Sequence, residues 1–260
     1  MGLVQLQSIA LELTNYCNLS CKICWSQNPV MFPPREKGGM TSTMFKSIID
    51  QLAADPEIQN VKPWLSLSYG GESLMHGQFR ELLEYAASKE LFRLQLITNG
   101  LLLHQYTEDL IEHNVMVTVS YHKVSRDVRK RVDSNIRHLL SLRGDLPVNV
   151  AVVGAEDPGL FDSAKAKFGD MVYDYPLITE DLKYADGTQP TKPFCMFPFT
   201  NMAILWNGDV VPCCRLLNTT QFPSLGNVAE SSVVEVWNGE LYESVRADPE
   251  KYPCGYCEVY

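Results

Sequence analysis

The chain lacks the features that would place it in a membrane, outside the cell or on nucleic acid. No apolar run reaches 18 residues, so the sequence predicts no transmembrane helix. The N-terminus has no basic stretch followed by an apolar segment, which argues against a secretory signal. Lys and Arg number 22 against 31 Asp and Glu, and the net charge of −9 argues against general nucleic-acid binding. We therefore expect a cytoplasmic protein that does not contact a membrane.

Cysteine, in contrast, is abundant. In a reducing compartment, eight cysteines indicate metal binding rather than disulfide bonds. Three of them lie close together near the N-terminus, and five lie in the last quarter of the chain. In order, they are Cys17, Cys21, Cys24, Cys195, Cys213, Cys214, Cys254 and Cys257.

The first group has the spacing Cys-x3-Cys-x2-Cys. Three thiolates can hold three irons of a [4Fe–4S] cluster and leave the fourth iron open to a ligand. Tetrahedral zinc requires a fourth ligand close by, and residues 18–40 contain no His and no Cys outside this group. The spacing therefore favours a cluster with an open iron, with a zinc site or a chance grouping of buried cysteines as the alternatives.

The hydrophobic pattern predicts six strands that alternate with five helices. The predicted strands cover 4–13, 64–69, 93–98, 115–120, 148–153 and 170–175, and the helices cover 43–54, 79–90, 107–114, 126–142 and 160–168. This alternation is typical of parallel βα units, and six units are too few to close an eight-stranded barrel. The predicted fold class is α/β, an open (βα)6 partial barrel over residues 1–178. Because chemistry gathers at the carboxyl ends of parallel strands, we expect the cysteine loop, Gly70–Glu72, Asn99 and Ser120–His122 to lie together.

The cysteine spacing, followed by Gly70-Gly71-Glu72 after the second strand, resembles the radical S-adenosylmethionine (SAM) superfamily. The resemblance implies that Cys17, Cys21 and Cys24 bind a [4Fe–4S] cluster whose open iron holds SAM. Cleavage of SAM then gives a 5′-deoxyadenosyl radical. The residues expected to contact the cofactor are Gly70, Gly71, Glu72, Asn99, Ser120 and His122. Asn99 is explained equally well as a turn residue before Gly100. His122 is explained equally well as a residue with a structural role.

The tail changes character after residue 178. Residues 179–194 are polar and carry two prolines, which predicts a linker, and residues 195–260 form a second, smaller α+β domain. Asn207-Gly208 predicts a hairpin with a type I′ turn. We predict a helix over 232–246, capped by Ser231 and burying Leu241. Four thiols here form a complete set that suits zinc or an iron–sulfur cluster, namely Cys195, Cys213, Cys254 and Cys257.

The tail also resembles the twitch domain, a shortened SPASM domain. The matching features are Gly208-x4-Cys213, Val236-Trp237-Asn238 and Cys254-x2-Cys257. The resemblance implies one auxiliary cluster, and hence two [4Fe–4S] clusters per chain. Cys214 is left over. It is a small buried side chain, a replacement for Cys213 as ligand, or a thiol that donates a hydrogen atom to a substrate radical.

One auxiliary cluster suits a net two-electron oxidation. The chain resembles small twitch-domain dehydrogenases that oxidise a secondary alcohol of an aminocyclitol, which implies a sugar, aminocyclitol or similar small polar substrate. Those enzymes use an arginine before the twitch domain as base, but residues 169–194 contain none. Lys183 is therefore the candidate catalytic base, with Tyr184 and Lys192 also available. The alternatives are an epimerase with Cys214 as hydrogen donor and a peptide-modifying radical SAM enzyme.

Positive charge is concentrated in residues 123–143, which hold seven Lys and Arg against two Asp. The simplest interpretation is a solvated helix face. The functional interpretation is a docking patch near Arg129-Lys130-Arg131 for a reductant such as flavodoxin or ferredoxin, or for a phosphorylated substrate.

Overall fold

The computed structural model describes residues 5–24, 26, 35–153, 158–175, 195–213 and 224–248. One eight-stranded sheet with the order β6-β5-β4-β3-β2-β1-β7-β8 organises them. None of the helices in these ranges is long and apolar enough to cross a membrane.

The first six strands are parallel neighbours in chain order, which confirms the predicted open partial barrel. Their bounds are β1 Ser8–Leu11, β2 Trp64–Ser66, β3 Arg93–Thr98, β4 Met116–Tyr121, β5 Val148–Val153 and β6 Val172–Tyr175. Alternate side chains such as Ile9, Leu65, Leu96 and Val117 are buried against the helices. The opposite face, which carries Thr118 and Ser120, lines the inside of the curved sheet.

Helices cover the outer face of the sheet. Those of the barrel are α1 Ser42–Ala54, α2 Pro56–Val61, α3 Phe79–Ala87, α4 Thr107–Glu112, α5 Arg126–Leu142 and α6 Pro158–Phe168. The predicted cap of α1 is correct, because the hydroxyl of Thr41 accepts from the backbone N–H of Met44 at 3.2 Å. The apolar face of α1, with Phe45, Ile48 and Ile49, is fully buried against the sheet.

The tail contributes a hairpin that extends the same sheet. After a short helix, α7 Phe197–Thr200, the strand β7 Asn201–Ile204 pairs parallel to β1, and β8 Val210–Val211 pairs antiparallel to β7. The predicted hairpin is correct, but its type I′ turn is wrong. Gly208 alone has a positive φ, +91°, and its N–H donates to the carbonyl of Leu205 at 2.9 Å. This is the three-residue loop that places its glycine after a type I turn.

The predicted tail helix is in fact two helices, α8 Val233–Trp237 and α9 Glu240–Ala247. Ser232 rather than Ser231 is the cap, since only Ser232 has a glutamate three residues later to complete a capping box. The chain leaves the helical path at Asn238-Gly239, two residues of low helix propensity. The break rotates the second helix, so Leu241 is 49% exposed and Tyr242 is buried in its place.

Candidate active site

The cysteine loop is held at its base by a second segment of chain. Thr14 forms a bridge with Gly39, and the side chain of Asn15 donates to the carbonyl of Glu36 at 2.7 Å and accepts from the N–H of Gly38 at 2.9 Å. The loop therefore starts from a fixed position at the carboxyl end of β1, although it has little regular structure of its own.

The three thiols of this loop influence one another. Burial and, to a lesser extent, the neighbouring Cys24 and Cys17 raise the pKa of Cys21 to about 11. Burial also raises the pKa of Cys17, as do Glu72 and Cys24. Thiolates crowded in this way are stabilised by a cationic centre, because metal binding displaces their protons. No three His, Cys, Asp or Glu side chains of the described chain enclose a single metal ion. Three thiols in one short loop are the donor set of a [4Fe–4S] cluster whose fourth iron stays open, so the residue types of this group fit such a cluster.

The Gly-Gly-Glu turn packs directly against the cysteine loop. A Cβ on Gly71 would lie 2.5 Å from the carbonyl oxygens of Thr14 and Tyr16, so only glycine permits this approach. The N–H of Glu72 donates to the carbonyl of Tyr16 at 2.8 Å, and the hydroxyl of Ser26 donates to the carbonyl of Gly70. The two glycines therefore join the end of β2 to the loop that carries the three thiols.

The carboxylate of Glu72 extends this connection to β3. It is buried and accepts from the hydroxyl of Thr98 at 2.9 Å and from the N–H of Asn99 at 2.8 Å. Burial raises its pKa, while these hydrogen bonds lower it. Through these two hydrogen bonds, Glu72 connects the turn after β2 to the end of β3.

Asn99 and His122 bring β3 and β4 to the thiols. The amide Nδ2 of Asn99 lies 3.8 Å from Sγ of Cys17, and Nε2 of His122 lies 2.7 Å from Sγ of Cys21. The other ring nitrogen of His122 lies 3.3 Å from the carbonyl oxygen of Ser120, which orients the imidazole. Burial lowers the pKa of His122. The residues expected to meet at the carboxyl ends of the strands do so.

Sequence reasoning missed an ion pair beside this turn. Glu12 is fully buried and accepts from both terminal nitrogens of Arg35, at 2.8 and 2.7 Å. Its Oε2 also accepts from the backbone N–H of Trp206 at 3.3 Å, and its Oε1 occupies the space that a Cβ on Gly70 would need. The sequence contains one signal for this buried carboxylate. The alternation along residues 4–13 places Glu12 on the opposite face from Leu11 and Leu13.

The inner face of β3–β6 carries polar groups and is partly exposed. It carries Thr118, Asn149 and Tyr173, and the hydroxyls of Thr118 and Tyr173 are hydrogen-bonded to each other. Thr118 is buried, but three apolar or aromatic side chains on this face are exposed, Ile97 by 46%, Tyr173 by 41% and Tyr175 by 47%. Hydroxyl, amide and ring groups therefore share this face of the sheet.

In the tail, Cys213 is in contact with the barrel. The hydroxyl of Tyr69, the residue before Gly70, donates to the carbonyl of Cys213 at 2.6 Å. Cys213 lies two residues beyond β8, whose last residue, Val211, pairs with Ala203 of β7. The buried Tyr242 donates to the carbonyl of Asn201 at 2.8 Å, and its pKa is raised by burial and, to a lesser extent, by Cys213.

Arg246 supplies an unsatisfied donor in the same region. Its guanidinium lies over the rings of Trp237 and Tyr242, at 4.1 and 4.6 Å, and its Nε donates to the carbonyl of Pro198, three residues after Cys195. Among the residues that the structure describes, its buried Nη2 has no hydrogen-bond partner. A buried donor of positive charge next to a cysteine segment fits an anionic group such as a cluster held by thiolates.

Four of the predicted site residues, Lys183, Cys214, Cys254 and Cys257, lie outside the described residues, as does the predicted linker. Of the predicted docking residues, Lys130 and Arg131 are exposed. Arg129 is instead engaged internally, since its guanidinium lies 3.4 Å from the ring centre of Tyr121 and donates to the carbonyl of His122.

Comparison with known families agrees with this geometry. The model of the radical SAM superfamily matches residues 11–140, which is half of the chain. The chain belongs to the radical SAM superfamily. The model of the SPASM iron–sulfur cluster-binding domain matches residues 195–258, the segment that contains the second set of cysteines. The cofactors of this radical SAM enzyme are therefore SAM, the [4Fe–4S] cluster of the barrel and further iron–sulfur chemistry in the tail.

Three similar proteins are known by name. A "tungsten-containing aldehyde ferredoxin oxidoreductase cofactor-modifying protein" of Pyrococcus furiosus is 24% identical, over 93% of this chain and 83% of its own length. The structure of BtrN in complex with AdoMet and 2-DOIA is 19% identical with a TM-score of 0.65, and covers 97% of this chain and 93% of that one. Streptococcus suis SuiB bound to precursor peptide SuiA is 15% identical with a TM-score of 0.69, over 94% of this chain and 67% of that one. At these identities the two structures establish the fold alone.

Proposed function

We propose that this radical SAM enzyme oxidises a small polar substrate, a secondary alcohol of a sugar, an aminocyclitol or a similar compound. The observation that carries the proposal is the open inner face of β3–β6. Its hydroxyl and amide groups suit a hydroxylated ligand, and the ring of Tyr173 offers a surface to the C–H side of such a ligand.

We assign three roles to residues of this chain: cluster ligands, SAM contacts and a proton acceptor. Cys17, Cys21 and Cys24 hold the barrel cluster, while Gly70, Gly71, Glu72, Asn99, Ser120 and His122 surround SAM. When bound, SAM and this cluster supply a carbon radical that removes a hydrogen atom from the substrate carbon. The alcohol must also lose a proton and one electron to become a ketone. Lys183 is the proposed proton acceptor, which requires burial to lower its pKa.

The tail cysteines would hold the cluster that accepts the electron lost by the substrate. Cys195, Cys213, Cys254 and Cys257 are the proposed ligands of one auxiliary cluster. Cys213 is held against the barrel by Tyr69, and Arg246 contacts the carbonyl of Pro198, three residues after Cys195. A positive group beside a cluster favours the form that carries one more electron, which suits an acceptor.

The similar proteins support two classes of substrate. BtrN, which matches this chain over nearly the whole of both, was solved with AdoMet and 2-DOIA. SuiB was solved with the precursor peptide SuiA, and its TM-score of 0.69 makes peptide modification the second candidate. The match covers 93% of BtrN and 67% of SuiB, and we therefore rank the small substrate first.

We also propose where the external electron enters. Exposed Lys130 and Arg131 lie on α5, and Arg129 of the same helix contacts the carbonyl of His122, whose ring reaches Cys21. An acidic donor such as flavodoxin or ferredoxin would dock on this surface by charge complementarity.

The test is anaerobic turnover with a panel of aminocyclitols and polyols deuterated at the carbinol carbon. We expect deuterium to appear in 5′-deoxyadenosine together with a ketone product, one per SAM consumed. Solvent deuterium at a carbon of an otherwise unchanged product would instead identify an epimerase, and Cys214 would then be its hydrogen donor. Label transfer only from a peptide would identify a peptide-modifying enzyme.

A further inference from the structure

Tyr69 connects two parts of the molecule that are 144 residues apart in the chain. Its backbone directly precedes the Gly70-Gly71-Glu72 turn, and its hydroxyl donates to the carbonyl of Cys213 at 2.6 Å. Its ring packs against a small apolar cluster formed by Ala203, Leu205 and Val211 on the tail hairpin. The side chain therefore extends from the SAM end of the barrel to the second set of thiols.

The backbone of this segment is fixed at its other end. Gly71 contacts the carbonyls of Thr14 and Tyr16, and the N–H of Glu72 donates to Tyr16, the residue before Cys17. One short segment of chain thus links the first cysteine of the barrel loop to Cys213 through two hydrogen bonds. A hydroxyl held in this way cannot rotate away from the Cys213 peptide without disturbing its own packing.

We propose that Tyr69 is a positioning residue that fixes the Cys213 peptide and thereby tunes the auxiliary cluster as an electron acceptor. This rests on the proposed role of Cys213 as a ligand. The hydroxyl donates to the carbonyl oxygen of Cys213, so the positive end of its dipole lies beside the backbone of the proposed ligand, where it would favour the more negative, reduced cluster. Hydrogen bonds and dipoles around the ligands are the means by which proteins set the reduction potentials of iron–sulfur clusters.

The experiment measures midpoint potentials by electron paramagnetic resonance during redox titration. Tyr69→Phe keeps the ring and removes only the hydroxyl. We expect it to lower the potential of the auxiliary cluster, measured in a background where Cys17, Cys21 and Cys24 are replaced by Ala. The barrel cluster, measured with Cys254 and Cys257 replaced by Ala, should be unchanged. Tyr85→Phe is the matched control, because that hydroxyl donates to Asp50 among the outer helices at 2.8 Å.

A second variant covers the case in which Tyr69→Phe loses iron. Site-specific 3,5-difluorotyrosine at position 69 makes the hydroxyl a stronger donor, so at an acidic pH that keeps this phenol protonated it should raise the potential of the auxiliary cluster. An unchanged auxiliary potential in both variants, or equal shifts in both clusters, would overturn the inference. Retention of all auxiliary iron in Cys213→Ala would instead refute the ligand assignment within the proposed function.

Discussion

The imidazole of His122 and the thiol of Cys21 lie 2.7 Å apart, from Nε2 to Sγ, although 101 residues separate them in the chain. The contact joins the end of β4 to the cysteine loop. It depends on the carbonyl of Ser120 on one side of the ring and on Arg129, which donates to the carbonyl of His122, on the other.

The first prediction follows from this contact. His122→Phe keeps a ring in the buried space but removes the nitrogen that faces Cys21. Partners of metal-ligating groups typically contribute 10–100-fold to affinity or activity, so we expect SAM cleavage to fall by about that factor. Anaerobic assay of 5′-deoxyadenosine checks this. His138→Phe, an exposed change on α5, should have no effect, and equal loss in both variants would contradict the prediction.

The division of the thiols into three and four predicts the iron content. Reconstituted protein should contain about eight irons and eight sulfides, as two [4Fe–4S] clusters require. Replacing Cys17, Cys21 and Cys24 by Ala should leave about four irons and abolish SAM cleavage. Chemical iron and sulfide analysis measures both. Four irons together with tightly bound zinc in the unaltered protein would show that the tail holds zinc.

The basic surface of α5 can be tested by charge reversal. Lys130→Glu with Arg131→Glu should slow flavodoxin-driven turnover and leave turnover with a small chemical reductant unchanged. The flavodoxin-driven rate should also fall with salt, since attraction between exposed charges is screened over about 10 Å at 0.1 M. Lys46→Glu, on a different helix, is the control. Equal loss with both reductants would indicate a role in folding or substrate binding. Arg129 is unsuitable for this test because it packs on Tyr121.

The buried pair of Glu12 and Arg35 predicts a large loss of stability. Arg35→Met leaves the Glu12 carboxylate buried without its partner, which typically costs about 3–5 kcal/mol. Lys46→Met breaks an exposed pair with Glu81 and should destabilise the protein far less. Urea unfolding of the reconstituted proteins under anaerobic conditions compares the two. Similar losses would show that the Glu12 pair contributes no more than a surface contact.

The final prediction separates oxidation from epimerisation. Cys254→Ala should stop ketone formation while some SAM cleavage persists. Cys214→Ala should change stability by only about 1 kcal/mol, the usual effect of a single substitution. Mass spectrometry of products from both variants provides the measurement. If Cys214→Ala alone abolished product formation, an epimerase would be the better interpretation.

The sequence predicted local features well and distant contacts poorly. The bounds of β3, β5 and α5 were predicted as observed, because each has a clear hydrophobic period over six residues or more. The tail helix was predicted too long because the break at Gly239 depends on tertiary packing as well as propensity. The contacts of Glu12 with Arg35 and of Tyr69 with Cys213 could not be predicted, since no periodicity relates residues so far apart. The Gly-Gly-Glu motif indicated a site, but not that its glycines serve the approach of two chain segments.

The pairing of β7 with β1 has a consequence for any shortened form of this protein. Ser8, Ile9 and Ala10 have neighbours on both sides, β2 on one and β7 on the other. Removal of the tail would expose the N–H and C=O groups of β1 as a free sheet edge, directly before the cysteine loop. Such edges recruit strands from other molecules. The tail thus protects the barrel against self-association, and a barrel expressed alone should aggregate at the strand from which its cysteine loop emerges.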